Sequence, residues 1–468
     1  MVKWTREKAL VITTTSIAAF LTPFTSAVIS FISPIIGKVF SASLTEVVWA
    51  PLGYLIPLAS IMLLLSRLSD IYGRVWFFRV GFVIFVVFGI LAILSWNIYS
   101  LIAFSIAMGF GSSILSPLST AIVSQVFPVG ERGSALGINA MSVYLGLTSA
   151  PFLGGVIVEF LGWRAVFLIT ILMAFIGLVI SFISMRNLEH TRISAKVSFI
   201  DSILYLVGLT TLSIYLTMYL VLPSYLSYVL LIISILFLIS FAIYEIRSRN
   251  PLLPPSLFKN KSFVGGNVTA LLNYISTFSI MFVFSIYLQS ILHVSPLIAG
   301  IVLIAEPIFM VILSPVSGWL SDRFEPRFVA AFGMGIIGAA FLYLYVTSLE
   351  HLLNIALGLV LVGIGFGFFS APNTNSVMSS APPDKYGVAS GTLGTMRFTG
   401  QLLSIAVASA LLMESLPRSE LLGIFMGAIT NTSSIYHVYF INGLRLILLV
   451  SAVLSLVGVY TSLIRERT

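Results

Sequence analysis

Ser66-Arg-Leu-Ser-Asp70-Ile-Tyr-Gly73-Arg74 returns 252 residues later as Gly318-Trp-Leu-Ser-Asp322-Arg323-Phe-Glu-Pro-Arg327. A second stretch, Glu131-Arg-Gly133-Ser-Ala135-Leu-Gly137, returns 254 residues later as Lys385-Tyr-Gly387-Val-Ala389-Ser-Gly391. Two polar stretches that recur in the same order at nearly one offset are the mark of an internal duplication. Each lies between apolar runs of about twenty residues, long enough to cross a hydrocarbon layer of ~30 Å. The copies keep both order and side, as expected of two parallel six-helix halves.

Working outward from these stretches, apolar runs continue from end to end. The 468 residues are 59% apolar and 9% charged, with a mean hydropathy of +1.10. Soluble domains carry roughly a quarter charged residues, so lipid is the expected solvent. Spans are expected near 10–32, 47–65, 76–95, 99–126, 135–158 and 163–185, then 199–221 and 225–245, then 263–291, 296–319, 327–347, 351–377, 387–412 and 438–463. All are expected to be helices, because only helices and closed barrels satisfy the backbone in lipid, and the short alternating pattern of a barrel is absent. The expected fold is therefore all-α and integral to the membrane, with about fourteen helices. Residues 1–190 form one six-helix bundle, 191–250 two inserted helices without a counterpart, and 251–468 the second bundle.

The net charge of +8 does not mark a nucleic-acid surface, because the basic residues fall in short clusters between apolar runs. One set of connecting segments holds nineteen of the 24 lysines and arginines, the opposite set only Lys38, Arg164 and Arg418. By the positive-inside rule both termini are expected in the cytoplasm of a multi-pass cell-membrane protein. With no cysteine, disulfides, thiolate metal sites and a cysteine nucleophile are excluded. Lys3, Arg6 and Lys8 precede an apolar run without a small-residue cleavage site, so the first span reads as retained. No phosphate-binding loop of the Walker type, paired metal spacing or Ser/His/Asp cluster is visible. An ATP-driven pump and an enzyme are not expected, and neither is a metal or other cofactor.

The Ser66 to Arg74 loop resembles the most diagnostic signature of the major facilitator superfamily, with serine in place of its first glycine. Resemblance implies a gating latch formed by Asp70, Gly73 and Arg74, and in the second copy by Asp322, Arg323 and Arg327. A solvated positive-inside loop is the plainer alternative. In span five, Gly146-Leu-Thr-Ser-Ala150-Pro151-Phe-Leu-Gly154-Gly155 resembles the motif of antiporter branches, with Ala150 in place of a glycine. The same small residues at four-residue spacing serve ordinary helix packing equally well. Phe127 to Gly133, Glu245 to Leu253 and Ser370 to Asn375 extend the match over nearly the whole chain. With the central pair of helices, they resemble the fourteen-span drug:proton antiporter branch. Thr25 and Ser105 depart from that branch where an aspartate and an arginine are usual, which puts the family's proton machinery in doubt here.

Glu306 stands about ten residues into span ten, hence near mid-bilayer at ~1.5 Å per residue. A carboxylate at that depth is costly unless paired, hydrated or protonated, which makes it the candidate for proton coupling. A structural hydrogen bond to a neighbouring helix is the alternative. Pro307 beside it should disturb the helix. Tyr54, Asn139, Tyr144, Asn267, Asn273 and Arg397 are candidates to line a cavity, although helix-to-helix hydrogen bonding is the ordinary use of such residues. The expected function is export of small amphipathic organic compounds in exchange for protons, by alternating access. An uncoupled facilitator, a specific metabolite exporter and a transport-inactive receptor or scaffold are the alternatives. Expected partners are a small-molecule substrate, protons and the lipid bilayer, with a monomer favoured.

Overall fold

The computed structural model describes residues 5–127, 129–186, 200–218, 222–248, 257–381, 386–415 and 434–465. The described residues are almost wholly helical and contain no strand. The first half comprises α1 (Arg6–Phe40), α2 (Leu44–Ser60), α3 (Met62–Tyr72), α4 (Arg74–Ile93), α5 (Ile98–Val126), α6 (Val129–Leu161) and α7 (Trp163–Ser184). Helices α8 (Ile200–Met218) and α9 (Ser224–Arg247) follow. The second half comprises α10 (Lys261–Thr277), α11 (Ser279–Ile286), α12 (Pro296–Leu303), α13 (Ala305–Arg323), α14 (Pro326–Val346), α15 (Leu352–Ser379), α16 (Tyr386–Ser415) and α17 (Ser434–Leu463).

Local chemistry sets several of the starts. Ser43 and Glu46 form a reciprocal capping box at α2, and Asn97 with Ser100 another at α5. Asn260 caps α10, and Ser295 caps α12 with Pro296 in the first turn, where proline's missing N–H costs nothing. Among the described residues, twelve helical stretches are long and apolar enough to cross a membrane. In that tally α10 with α11, and α12 with α13, each make one span. The remaining expected spans correspond to α2, which breaks at Ile61 before α3, and α8, whose apolar part is Ile200–Leu216. The chain is thus a multi-pass membrane protein with, among the described residues, twelve long apolar helical stretches and the shorter apolar helix Ile200–Leu216.

Contacts between helix ends order the molecule across the membrane. Lys8 at the start of α1 lies over the ring of Phe127 at the end of α5, and Arg74 at the start of α4 reaches Gln125 on α5 at 3.3 Å. Arg327 at the start of α14 donates to the backbone carbonyl of Arg465, just past α17, at 2.8 Å. Gly265 near the start of α10 packs on that same Arg465. The opposite end of this span carries Ser285 and Gln289, which meet Phe31, near the opposite end of α1. The start of α1, the end of α17 and the starts of α4 and α14 therefore lie on one face, called here the terminal face, and Phe31 lies toward the far face.

The two halves share their internal packing. Gly81 of α4 and Gly111 of α5 meet backbone to backbone, and so do Gly333 of α14 and Gly365 of α15, displaced by 252 and 254. Gly146 of α6 packs on the Phe20 carbonyl of α1, and Gly400 of α16 on the Leu271 carbonyl of α10, again 254 and 251 apart. A duplicated bundle produces such coincidences because each close approach needs a glycine at the same two places. Helix α8 packs against both α2 and α16, one from each half, while α9 leaves most of its surface open and buries only Ser227, Ser234 and Glu245.

Candidate functional site

Helices α12 and α13 make one crossing that is interrupted at Ile304, and Glu306 stands in the first turn of α13. The interruption follows from Pro307, whose missing N–H leaves the carbonyl four residues back without its helical donor. Gly363 of α15 fits directly against the Glu306 backbone, where a Cβ would collide with its carbonyl. From the other half, Thr148 of α6 donates to the Pro307 carbonyl at 3.2 Å. The segment bearing the carboxylate is thus held by backbone contacts from both sides. Among the described residues no hydrogen bond or ion pair reaches the part-buried carboxylate itself.

The duplication explains this. Gly109 meets the Tyr54 carbonyl as Gly363 meets the Glu306 carbonyl, so Tyr54 and Glu306 occupy equivalent places, 252 apart. Tyr54 is fully buried, donating to the Thr22 carbonyl at 3.2 Å and sharing a 2.6 Å hydrogen bond with Ser112. The counterpart of Ser112, 254 further on, is Phe366. Where the first half offers a hydroxyl, the second offers a ring, and the acid is left without a partner.

A second polar cluster lies between the halves. Tyr144 of α6 shares a 2.7 Å hydrogen bond with Ser370 of α15. Tyr274 of α10 lies within electrostatic reach of Tyr144 and within hydrogen-bonding reach of Arg397 of α16, and packs edge-on against Phe366 at 5.5 Å. The Arg397 guanidinium stacks on Phe398 at 4.5 Å, and its Nε is buried without a partner. Tyr205 of α8 shares a 2.8 Å hydrogen bond with Thr399, which ties the inserted helix to the same stretch of α16.

The profile of the major facilitator superfamily matches residues 15–405 and, in a second match, 266–465. The chain belongs to the major facilitator superfamily. Its relatives include the riboflavin transporter RibZ of Clostridioides difficile, 29% identical over 89% of this chain and 90% of that one. The cephamycin export protein CmcT of Amycolatopsis lactamdurans is 29% identical, covering 86% and 84%. The tetracenomycin C resistance and export protein of Streptomyces glaucescens is 26% identical, covering 85% and 74%. Among solved structures, a bacterial homologue of the lysosomal transporter Spinster, inward-facing and unoccupied, superposes with a TM-score of 0.68. That match is 15% identical over 98% of this chain and 97% of the other, and concerns the fold alone. The protein is accordingly a transporter and not an enzyme.

Within this superfamily fold, the antiporter-like string of α6 has a packing role on both sides. Gly146 and Gly154 admit α1, through Phe20 and through Val28 with Phe31, while Gly155 admits the Pro296 backbone of α12. Reciprocally, Gly300 of α12 admits the Pro151 backbone, and Ala150 is fully buried. Of the residues expected from sequence to gate, Gly73 takes φ +108° between α3 and α4, a conformation that favours glycine. Arg74 bonds Gln125, and Arg327 pairs with Glu325 at 2.6 Å besides its bond to the Arg465 carbonyl. The side chains of Asp70, Asp322 and Arg323 lie outside the described residues.

The remaining candidates stay within their own halves. Asn139 donates to the Thr15 carbonyl at 3.2 Å, Asn267 to the Phe263 carbonyl of its own helix at 2.9 Å, and Asn273 to the Met334 sulfur at 3.4 Å. Tyr274 links Tyr144 to Arg397, with Tyr205, Phe366 and Ser370 close to one or another of them, a set that sequence did not single out as a group. Residues from five helices form that set, so no local spacing announces it. Arg465, counted in sequence only as a topology signal, is 1% exposed and bonds Asn373 at 2.7 Å. Burial pulls its guanidinium down to about 10, which still leaves it charged at neutral pH.

Proposed function

We propose that this transporter exports small amphipathic organic compounds across a cell membrane in exchange for protons, with both termini in the cytoplasm. The observation that carries the reading is Glu306, an acid in a broken helix, held by backbone contacts to both halves and left without a partner of its own. Such a group takes up and releases a proton as its access to water changes, which is what exchange requires. The proposed architecture is fourteen crossings, with bundles at 1–190 and 251–468 and the helices of 191–250 inserted. It is supported by the equal offsets of loops and glycine contacts. Export is supported by the names of the cephamycin and tetracenomycin relatives.

Uncoupled facilitation is the second reading, favoured by one observation. Thr25 and Ser105, where the branch usually carries an acid and an arginine, are both buried hydroxyl residues, so the first half offers no charge there. Purified protein in liposomes with an imposed pH gradient separates the two. Coupled export predicts that counterflow of protons accompanies solute flux and that Glu306→Gln abolishes gradient-driven accumulation while solute still equilibrates. Gradient-driven accumulation that persists at the wild-type rate in Glu306→Gln overturns the assignment. Solute flux indifferent to the gradient in the wild-type protein selects facilitation.

A further inference from the structure

We infer that Arg397 is the anion-recognising residue of the substrate site, and that the site takes a planar organic anion. The inference rests on the transport reading above, and names the substrate class of that same site.

Arg397 sits about eleven residues into α16, roughly 16 Å along the helix at ~1.5 Å per residue. A guanidinium within a bundle is costly unless its donors are met. Here Phe398 covers one face and Tyr274 lies in reach, but Nε is buried and unmatched, and among the described residues no carboxylate pairs with it. Gln401, one helical turn further on, is 3% exposed, and its side-chain oxygen is also buried without a partner. Residues four apart share one face of a helix, so an unmet cation and an unmet amide are presented together. Tyr274 reaches Arg397, and Tyr144 and Phe366 stand beside Tyr274. A guanidinium matches an oxyanion in charge and geometry, and rings set edge to face accept a flat aromatic body. Glu306 is an acid on another helix, so the cationic member of this group, Arg397, is where an anionic substrate group belongs.

The test uses full-length protein in phosphatidylcholine nanodiscs with two fluorescent probes of one shape, pyrenebutyrate and pyrenebutanol. Wild-type protein is expected to bind the anion about tenfold more tightly than the alcohol. Arg397→Gln should remove that difference by weakening the anion alone, and Arg397→Lys should restore part of it. Binding in discs is measured without a pH gradient, so anion recognition is read separately from the proton coupling that Glu306→Gln tests in liposomes. Equal affinities in the wild-type protein, no saturable binding of either probe, or an undiminished preference in Arg397→Gln overturns the inference. Displacement of the anionic probe by phosphatidylglycerol in the disc also overturns it, because Arg397 would then serve a lipid headgroup.

Discussion

Tyr54 and Glu306 share one packing environment, each with its carbonyl against a glycine of the neighbouring helix. Their side chains meet different surroundings, because Ser112 answers the first and Phe366 stands at the equivalent place beside the second. Opposite responses to the mildest substitutions are therefore expected. Tyr54→Phe removes a hydroxyl that joins α1, α2 and α5, which should cost about 1 kcal/mol of stability. It should leave proton-coupled flux unaltered. Glu306→Gln replaces an acid that no protein group matches with a neutral amide of the same shape, so thermal unfolding in detergent should stay level or rise while the proposed coupling is lost. Unfolding midpoints and proton flux on the two variants check this, and a coupling defect in Tyr54→Phe of the size seen in Glu306→Gln would refute the contrast.

Among helices, glycines decide how close the crossings come. Gly363 lies so near the Glu306 carbonyl that Gly363→Ala must displace α13, at about 1 to 3 kcal/mol. Gly318 is the reverse case, since a Cβ there meets only the Ala371 methyl at 3.9 Å. Gly318→Ser should fall within about 0.5 kcal/mol of wild type, and thermal denaturation of both variants checks the pair. Gly318 corresponds to Ser66, so the same openness would let the first copy of the loop carry serine where the family signature has glycine. The crossings and the paired loops were legible in the sequence, because hydropathy runs and turn residues are written locally. The contacts of Gly81 with Gly111 and of Gly333 with Gly365 were not, since each depends on a partner some thirty residues away. Nor was the equivalence of Tyr54 and Glu306 visible, as the duplication preserved place but not chemistry. The break at Ile304 follows a readable signal, Pro307 three residues on, whereas Pro57 lies inside α2 and its carbonyl still accepts from Ile61 at 3.0 Å. The break at Phe278 has no proline, and its following N–H at Ser279 is met instead by Ser404 of α16 at 2.8 Å.

Across the whole molecule, contacts between the halves gather toward the far face. Gly155 meets the backbone of Pro296, Gly300 that of Pro151, and Thr148 the carbonyl of Pro307. At the level where Gly154 packs on Phe31, the Phe31 carbonyl accepts from both Ser285 and Gln289, which are themselves joined at 2.7 Å. Gln289 belongs to the π-helical turn Tyr287–Ile291, a local irregularity that commonly marks functional positions. Under the alternating access proposed above, release of a solute to the far side requires this latch to part, so its strength sets how often the far face opens. Removing both donors with Ser285→Ala and Gln289→Ala forfeits about 1 to 2 kcal/mol of the closed state, a roughly tenfold change in the ratio of closed to open. With no native cysteine, spin labels can be placed cleanly at Val39→Cys and Ile298→Cys, both exposed and one in each half. Pulsed dipolar spectroscopy in liposomes should then show a longer distance component that grows by about that factor in the double alanine variant. An unchanged distribution would mean that the glycine contacts of α6 and α12 hold the face shut by themselves, and that the Phe31 carbonyl is a passive acceptor.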